Sequence, residues 1–228
     1  MIRRNIALIP AAGVGARFGA GKPKQYVEIN GKTVLQHTIE IFEQHPRIDL
    51  IAVILSPEDL VFQTALSEKV RVFRVGGASR AETVRNGVSV LLEQGLAEAQ
   101  DNILVHDAAR CCLPAEALTR LLDEAGENDE GGILAIPVAD TLKRADGSHH
   151  IDETVARAGL WQAQTPQLFQ TALLNRALSV DDLSEITDEA SAVEKLGIRP
   201  RLVQGDTRNL KLTLPQDEYI VRLLLKAV

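Results

Sequence analysis

Ile6-Ala7-Leu8-Ile9-Pro10 runs directly into Ala11-Ala12-Gly13-Val14-Gly15-Ala16-Arg17-Phe18-Gly19-Ala20-Gly21-Lys22-Pro23-Lys24-Gln25-Tyr26. The reading of this junction decides the fold. A short, almost wholly apolar run is what a parallel strand covered on both faces looks like. The loop after it can wrap an anion, because its glycines admit positive φ and small residues let backbone N–H groups approach closely. In open parallel sheets such a loop, at the carboxyl end of a strand, is where ligands bind. Two familiar phosphate loops are excluded by residue type. A dinucleotide fingerprint needs a third glycine where Phe18 stands, and a Walker loop needs Ser or Thr where Pro23 follows Lys22 and glycine where Ala16 stands. Arg17 and Lys24 remain as two cations on a loop stiffened by Pro23, while Lys22 is read as a bystander.

Working outward, residues 50–55, 70–75, 103–106 and 133–138 repeat the apolar strand pattern. Val34, Leu35, Thr38, Ile41 and Phe42 share one helical face, and Ala81, Val84, Val88, Leu91 and Leu92 share another. Ser56-Pro57-Glu58-Asp59 reads as a helix start, as do Pro114 and Thr187-Asp188-Glu189. Residues 139–159 break the rhythm: they are polar, with Asp146-Gly147 at the centre, and predict a protruding hairpin. The expected fold is α/β, a Rossmann-like three-layer sandwich around a mostly parallel twisted sheet, forming one domain over residues 1–228.

Composition narrows the function. With 45% hydrophobic and 25% charged residues in 228, the chain can bury one substantial core. A net charge of −6 argues against a nucleic-acid coat, so any phosphate chemistry must use local positive charge. No stretch is long enough to span a bilayer, and the amino-terminal run is read as a strand rather than a secretory signal. Cys111 and Cys112, the only cysteines, are adjacent, a spacing wrong for zinc and strained for a disulfide. A reducing, cytoplasmic setting is expected. His149 and His150 sit in the polar hairpin, and His37 and His45 lack ligand-spaced partners, so none predicts a metal site.

The loop resembles the Pro-Ala-Ala-Gly-x-Gly-x-Arg … Pro-Lys-Gln-Tyr signature of the 2-C-methyl-D-erythritol 4-phosphate cytidylyltransferase family. Further matches follow in order: Gly76-Gly77 with Arg80 and Thr83-Val84; Val105-His106-Asp107-Ala108-Ala109-Arg110; Asp140-Thr141-Leu142-Lys143-Arg144; Gly159 through Gln167; Ile186-Thr187-Asp188-Glu189-Ala190-Ser191; and Asn209-Leu210-Lys211-Leu212-Thr213. The resemblance implies a nucleotidyltransferase that couples a sugar-alcohol phosphate to CTP. It implies Arg17, Lys24 and Lys211 as catalytic cations, and Ala11, Ala12, Gly13, Gly77, Ala78, Thr83 and Asp107 around the nucleotide. Arg110, Thr141, Arg157, Thr165, Thr187, Lys211, Thr213 and again Asp107 are implied around the acceptor. Mg²⁺ or another divalent cation is implied on the phosphates, touched by Asp107 directly or through water. The hairpin is implied to be a dimerisation arm carrying Thr141 and Arg157 into the partner's site. Ala78 stands where the family often has an acidic residue, and Cys111 where proline is common.

Two other functions stay open beside this one: a ribitol 5-phosphate cytidylyltransferase, and a non-catalytic nucleotide binder of the same fold. Single residues also have plainer readings. Asp107 and Thr187 are good turn or helix caps, and Lys211 is a plausible strand-edge lysine.

Overall fold

The computed structural model describes residues 3–13, 23–63 and 67–226. Its strands are β1 (Asn5–Pro10), β2 (Glu28–Ile29), β3 (Lys32–Thr33), β4 (Leu50–Ile54), β5 (Val70–Phe73), β6 (Asn102–Val105), β7 (Gly132–Pro137), β8 (Leu142–Ala145), β9 (Ile151–Val155), β10 (Trp161–Gln170) and β11 (Arg201–Gln204). Its α-helices are α1 (Val34–Gln44), α2 (Arg80–Glu93), α3 (Ala115–Ala125), α4 (Thr171–Leu178), α5 (Glu189–Glu194) and α6 (Asp217–Leu224), and a 3-10 turn covers Lys24–Tyr26. Seven strands form one sheet in the order β11-β7-β10-β6-β1-β4-β5. All neighbours in it are parallel except β10, which runs antiparallel to both β6 and β7.

Alternation along the strands separates two cores. Ala7 and Ile9 of β1 point to the face covered by α1 and α3, whereas Ile6 and Leu8 point to the face covered by α2, α4 and α5. Both faces are apolar because both carry helices, which is why β1 and β4 read as unbroken hydrophobic runs. Helix α1 starts where expected because Thr33 and Gln36 form a reciprocal capping box. Asp188 and Ser191 do the same for α5, and Pro114 precedes α3. A small third core of Ile29, Val34, Ala109, Cys111, Leu212 and Val221 lies beneath the loops at one end of the sheet.

The α/β class, the mostly parallel sheet and a hairpin within 139–159 all match the sequence reading. Three features do not. No helix follows Ser56 among residues 56–63. Asp59 instead accepts N–H bonds from Val61 and Phe62 and the hydroxyl of Tyr26, so its carboxylate organises a loop. The second is β10, whose four glutamines and Pro166 argue against a central strand. Its buried Gln164 donates to the Asp206 carbonyl at 2.8 Å, and its buried Gln167 donates to Asp188 and accepts from Ala190, both at 2.8 Å. These bonds remove the desolvation cost that the sequence alone would charge to the strand. The third is the hairpin β2–β3, turned by Asn30 and Gly31 at φ 52° and 84°. No helix among the described residues is long and apolar enough to cross a membrane.

Phe42 is wholly buried and meets the His106 ring edge-on, with centroids 5.1 Å apart. Phe42→Ala is expected to cost about 3–5 kcal/mol of stability, read as a lowered denaturant midpoint with an unchanged slope.

Candidate active site

Strand β1 lies between β4 and β6, so the chain leaves it toward one neighbour and later returns to the other. At such a switch point the loops after adjacent strands splay apart and open a crevice. Here a cleft of about 560 Å³ is walled by residues 10–13 after β1, Gly77, Ala78 and Arg80 leading into α2, residues 107–109 after β6, and Lys24, Lys211 and Thr213.

The glycine wall is built by close approach. A Cβ on Gly76 would lie 2.3 Å from that of Ala12 and 2.8 Å from the Leu55 carbonyl oxygen, so a side chain there would force the two walls apart. Thr83 Oγ1 accepts from the Gly77 N–H at 3.1 Å and donates to the Ser79 carbonyl at 2.9 Å, which fixes the turn into α2. Gln25 Nε2 donates to the carbonyls of Ala11 and Gly13 at 3.0 and 2.9 Å, pinning the start of the first loop.

Asp107 is the electrostatic centre. Its Oδ1 accepts from Arg80 Nε at 2.9 Å, and its Oδ2 lies 2.8 Å from Lys211 Nζ and 3.6 Å from Arg110 Nε. Arg80 also donates both terminal nitrogens to Glu189, at 2.6 and 3.0 Å, and so bridges two carboxylates. Burial pushes the Asp107 carboxyl up, but the charges of Arg80, Lys211 and Arg110 overcome it and hold the group far below the ordinary range. Burial likewise opposes the Arg80 charge, yet the Glu189 and Asp107 carboxylates raise it above its usual value. Glu189 is itself pushed up by burial against the pull of Arg80.

Beneath Asp107 runs a chain of directed bonds. The Asp107 N–H donates to Thr165 Oγ1 at 3.1 Å, and that hydroxyl lies 3.0 Å from His106 Nδ1. His106 Nε2 lies 2.9 Å from the Arg110 carbonyl, which can only accept, so Nε2 carries the proton and Nδ1 accepts from Thr165. Burial lowers the His106 pKa to about 4, keeping the imidazole neutral.

The structure therefore gathers Ala11, Ala12, Gly13, Lys24, Gly77, Ala78, Thr83, Asp107, Lys211 and Thr213 around one cleft. Arg110 reaches Asp107 from the side while donating to the Asn209 carbonyl at 2.6 Å. The Thr165 hydroxyl is occupied beneath Asp107. Thr187 is exposed just before the α5 cap, and Thr141 and Arg157 are exposed on the hairpin, away from the cleft lining. Lys211 lies in a loop and not on a strand edge. Arg17 lies outside the described residues. The sequence reading named Arg80 and Glu189 only as parts of motifs and gave neither a role. Ser79, which accepts the Glu82 N–H as the cap of α2, was the local signal that places Arg80 at a helix start facing the cleft. Nothing in the sequence announced Glu189 as its partner.

Residues 5–227 match the family model described as 2-C-methyl-D-erythritol 4-phosphate cytidylyltransferase. A relative of that name from Neisseria meningitidis serogroup A is 71% identical over the full length of both chains. A solved 4-diphosphocytidyl-2C-methyl-D-erythritol synthase superposes with a TM-score of 0.89 at 64% identity, covering 99% of this chain and 100% of the other. The Francisella tularensis 2-C-methyl-D-erythritol 4-phosphate cytidylyltransferase gives 0.82 at 32% identity, covering 97% and 99%.

The neutral His106 has a consequence for stability. The unfolded chain takes up its proton near pH 6.5 and the folded chain only near pH 4. This contribution to stability is intact above pH 6.5 and is lost as pH falls through that window, by about 3 kcal/mol in all. Denaturation midpoints measured from pH 7 to pH 4 should show the slope, and a His106→Gln variant should flatten it.

Proposed function

The chain belongs to the 2-C-methyl-D-erythritol 4-phosphate cytidylyltransferase family, and we propose that its cleft is where the phosphate of that sugar alcohol is joined to the cytidine monophosphate part of CTP. The observation that carries this reading is the convergence of Lys24, Arg80 and Lys211 on one glycine-walled cleft around Asp107. The relatives compared above bear the methylerythritol name, so the ribitol alternative is not favoured.

A phosphate oxygen of the acceptor attacks the α-phosphorus of CTP; the new P–O bond forms as the bond to the pyrophosphate oxygen breaks. The nucleophile has a second pKa of about 6, so at neutral pH it is already ionised and needs no general base. What remains is to bring two polyanions together and to stabilise charge growing on the α-phosphate oxygens. Lys24 and Lys211, which both line the cleft, supply that charge, with Arg17 assigned beside them by the family signature. Ala11, Ala12 and Gly13 present backbone to the nucleotide, while Gly77 and Ala78 are small enough to leave room for a flat base. Thr213 lines the cleft, Arg110 and Thr187 are assigned to the acceptor by the family signature alone, and Thr165 serves by holding Asp107.

Among the described residues no group of three metal-ligating side chains exists. The cleft wall offers one carboxylate, Asp107. That donor set suits a hard divalent cation that takes most of its ligands from triphosphate oxygens and water. Mg²⁺ bound with CTP would be held by Asp107, directly or through water, and would neutralise phosphate charge.

The hairpin β8–β9 pairs only with itself, and Ile151, Leu160 and Trp161 on and beside it are exposed apolar residues. In a homodimer formed through this arm, Thr141 and Arg157 complete the partner's acceptor site.

Lys24→Ala should still bind CTP but release pyrophosphate about a hundredfold more slowly in the presence of Mg²⁺ and acceptor; near-normal turnover removes Lys24 from the mechanism. In the same assay methylerythritol phosphate should outpace ribitol 5-phosphate. Mixing Lys24→Ala with Arg157→Ala subunits should restore part of the activity, and a mixture as inactive as its components counts against the shared site.

A further inference from the structure

Lys24 lines the cleft from a 3-10 turn of three residues, Lys24–Tyr26. A turn this short closes too few hydrogen bonds to fix a side chain by itself. Its other two residues are buried and reach two different segments. Gln25 donates to the carbonyls of Ala11 and Gly13 after β1. The Tyr26 hydroxyl donates to Asp59 Oδ2 at 2.5 Å, in the loop that follows β4.

We propose that Asp59 is a positioning residue for the reaction: through the Tyr26 hydroxyl it fixes the Lys24–Tyr26 turn, and with it the place from which Lys24 enters the cleft. The Asp59 carboxylate is itself well seated. Its Oδ1 accepts the N–H groups of Val61 and Phe62 at 3.0 and 2.9 Å. Its backbone N–H donates to the Ser56 carbonyl at 3.1 Å, and its carbonyl accepts from Arg74 Nε, just beyond β5, at 3.2 Å. Ser56, where this loop begins, lines the same cleft as Lys24. One carboxylate therefore ties the loop after β4 to the turn that carries the cation.

Packing and hydrogen bonding divide the work. The Tyr26 ring belongs to the first core, and burial of an apolar ring is non-directional, so it sets the depth of the turn. The bond to Asp59 supplies the direction. Burial and then the Asp59 carboxylate raise the Tyr26 hydroxyl well above its ordinary value, which keeps its proton in place as the donor. On the other side, Leu60 and Val61 at the loop tip are exposed, so burial does not shape the tip and the carboxylate's bonds do. A misplacement of Lys24 by a fraction of an ångström matters because it acts on charge at one phosphorus atom. The inference rests on the functional reading above, in which Lys24 stabilises that charge.

The experiment measures pyrophosphate release, CTP affinity, thermal melting and amide hydrogen exchange of residues 24–27 in the full chain and in Tyr26→Phe, Asp59→Ala, Lys24→Ala and the Tyr26→Phe/Lys24→Ala double variant. Tyr26→Phe keeps the ring and removes the hydroxyl alone. It should melt cooperatively, bind CTP as the unaltered chain does, exchange faster at residues 24–27 and lose about tenfold in kcat. Asp59→Ala should lose kcat comparably. In the Lys24→Ala background Tyr26→Phe should cost nothing further, because the group it positions is gone. The proposal is overturned by full kcat in folded Tyr26→Phe or Asp59→Ala, or by the same tenfold loss with Lys24 already removed, which marks a general structural effect. If Asp59→Ala does not fold, the two Tyr26→Phe measurements decide alone. Near-normal turnover of Lys24→Ala is the separate failure of the functional reading; faster exchange at residues 24–27 in Tyr26→Phe then still supports the hold of Asp59 on the turn, and unchanged exchange overturns it.

Discussion

The buried carboxylate of Asp107 is the constraint on which the rest of the site depends. A lone charge at this depth would be driven to take up a proton, and it stays ionised because Arg80, Lys211 and Arg110 surround it. The dependence is mutual. Lys211 comes from a loop with no regular structure, and Arg80 from the first turn of a helix on the opposite face of the sheet from α1. Asp107 is the common anion at which their cationic ends meet. A buried ion cluster of this kind is poor evidence of added stability, but removing one member leaves the others uncompensated, which makes the arrangement strongly specified.

The cluster is anchored on both sides by groups that do not touch the cleft. Glu189 holds the far end of Arg80, and its own position is set by the Asp188 cap and by Gln167, which grips the start of α5 through Asp188 and Ala190. Below Asp107, the Thr165 hydroxyl and the neutral His106 form a chain in which every donor and acceptor has one available direction. Strand β10 supplies Gln164, Thr165 and Gln167 to these supports. Its polar sequence is thus the consequence of carrying the understructure of a site, and conflict with strand rules is expected at such a place.

For two polyanionic substrates, a cleft whose cations are held on a carboxylate has a physical advantage. Cations left facing one another in an empty site would repel, whereas here they rest near their working positions with little reorganisation required when phosphate arrives. Lys24 lines the same cleft from a short 3-10 turn whose Gln25 secures the first loop.

Much of this was legible along the chain because it is local. The run 6–10 and its glycine-rich loop announce a buried parallel strand ending at a ligand site, since apolar continuity and φ freedom are properties of neighbouring residues. The capping pattern around Thr187-Asp188-Glu189 and the turn at Asp146-Gly147 are local in the same sense. The ordered motifs carried the family, and with it Lys24, Asp107 and Lys211. The partner of Arg80 lies more than a hundred residues away in Glu189, and the bonds that make β10 a central strand come from residues about 20 and 40 positions distant. Those choices belong to the tertiary structure. A buried polar group is tolerable only when a partner reaches it, and which partner does so is settled by chain topology and not by any neighbouring residue.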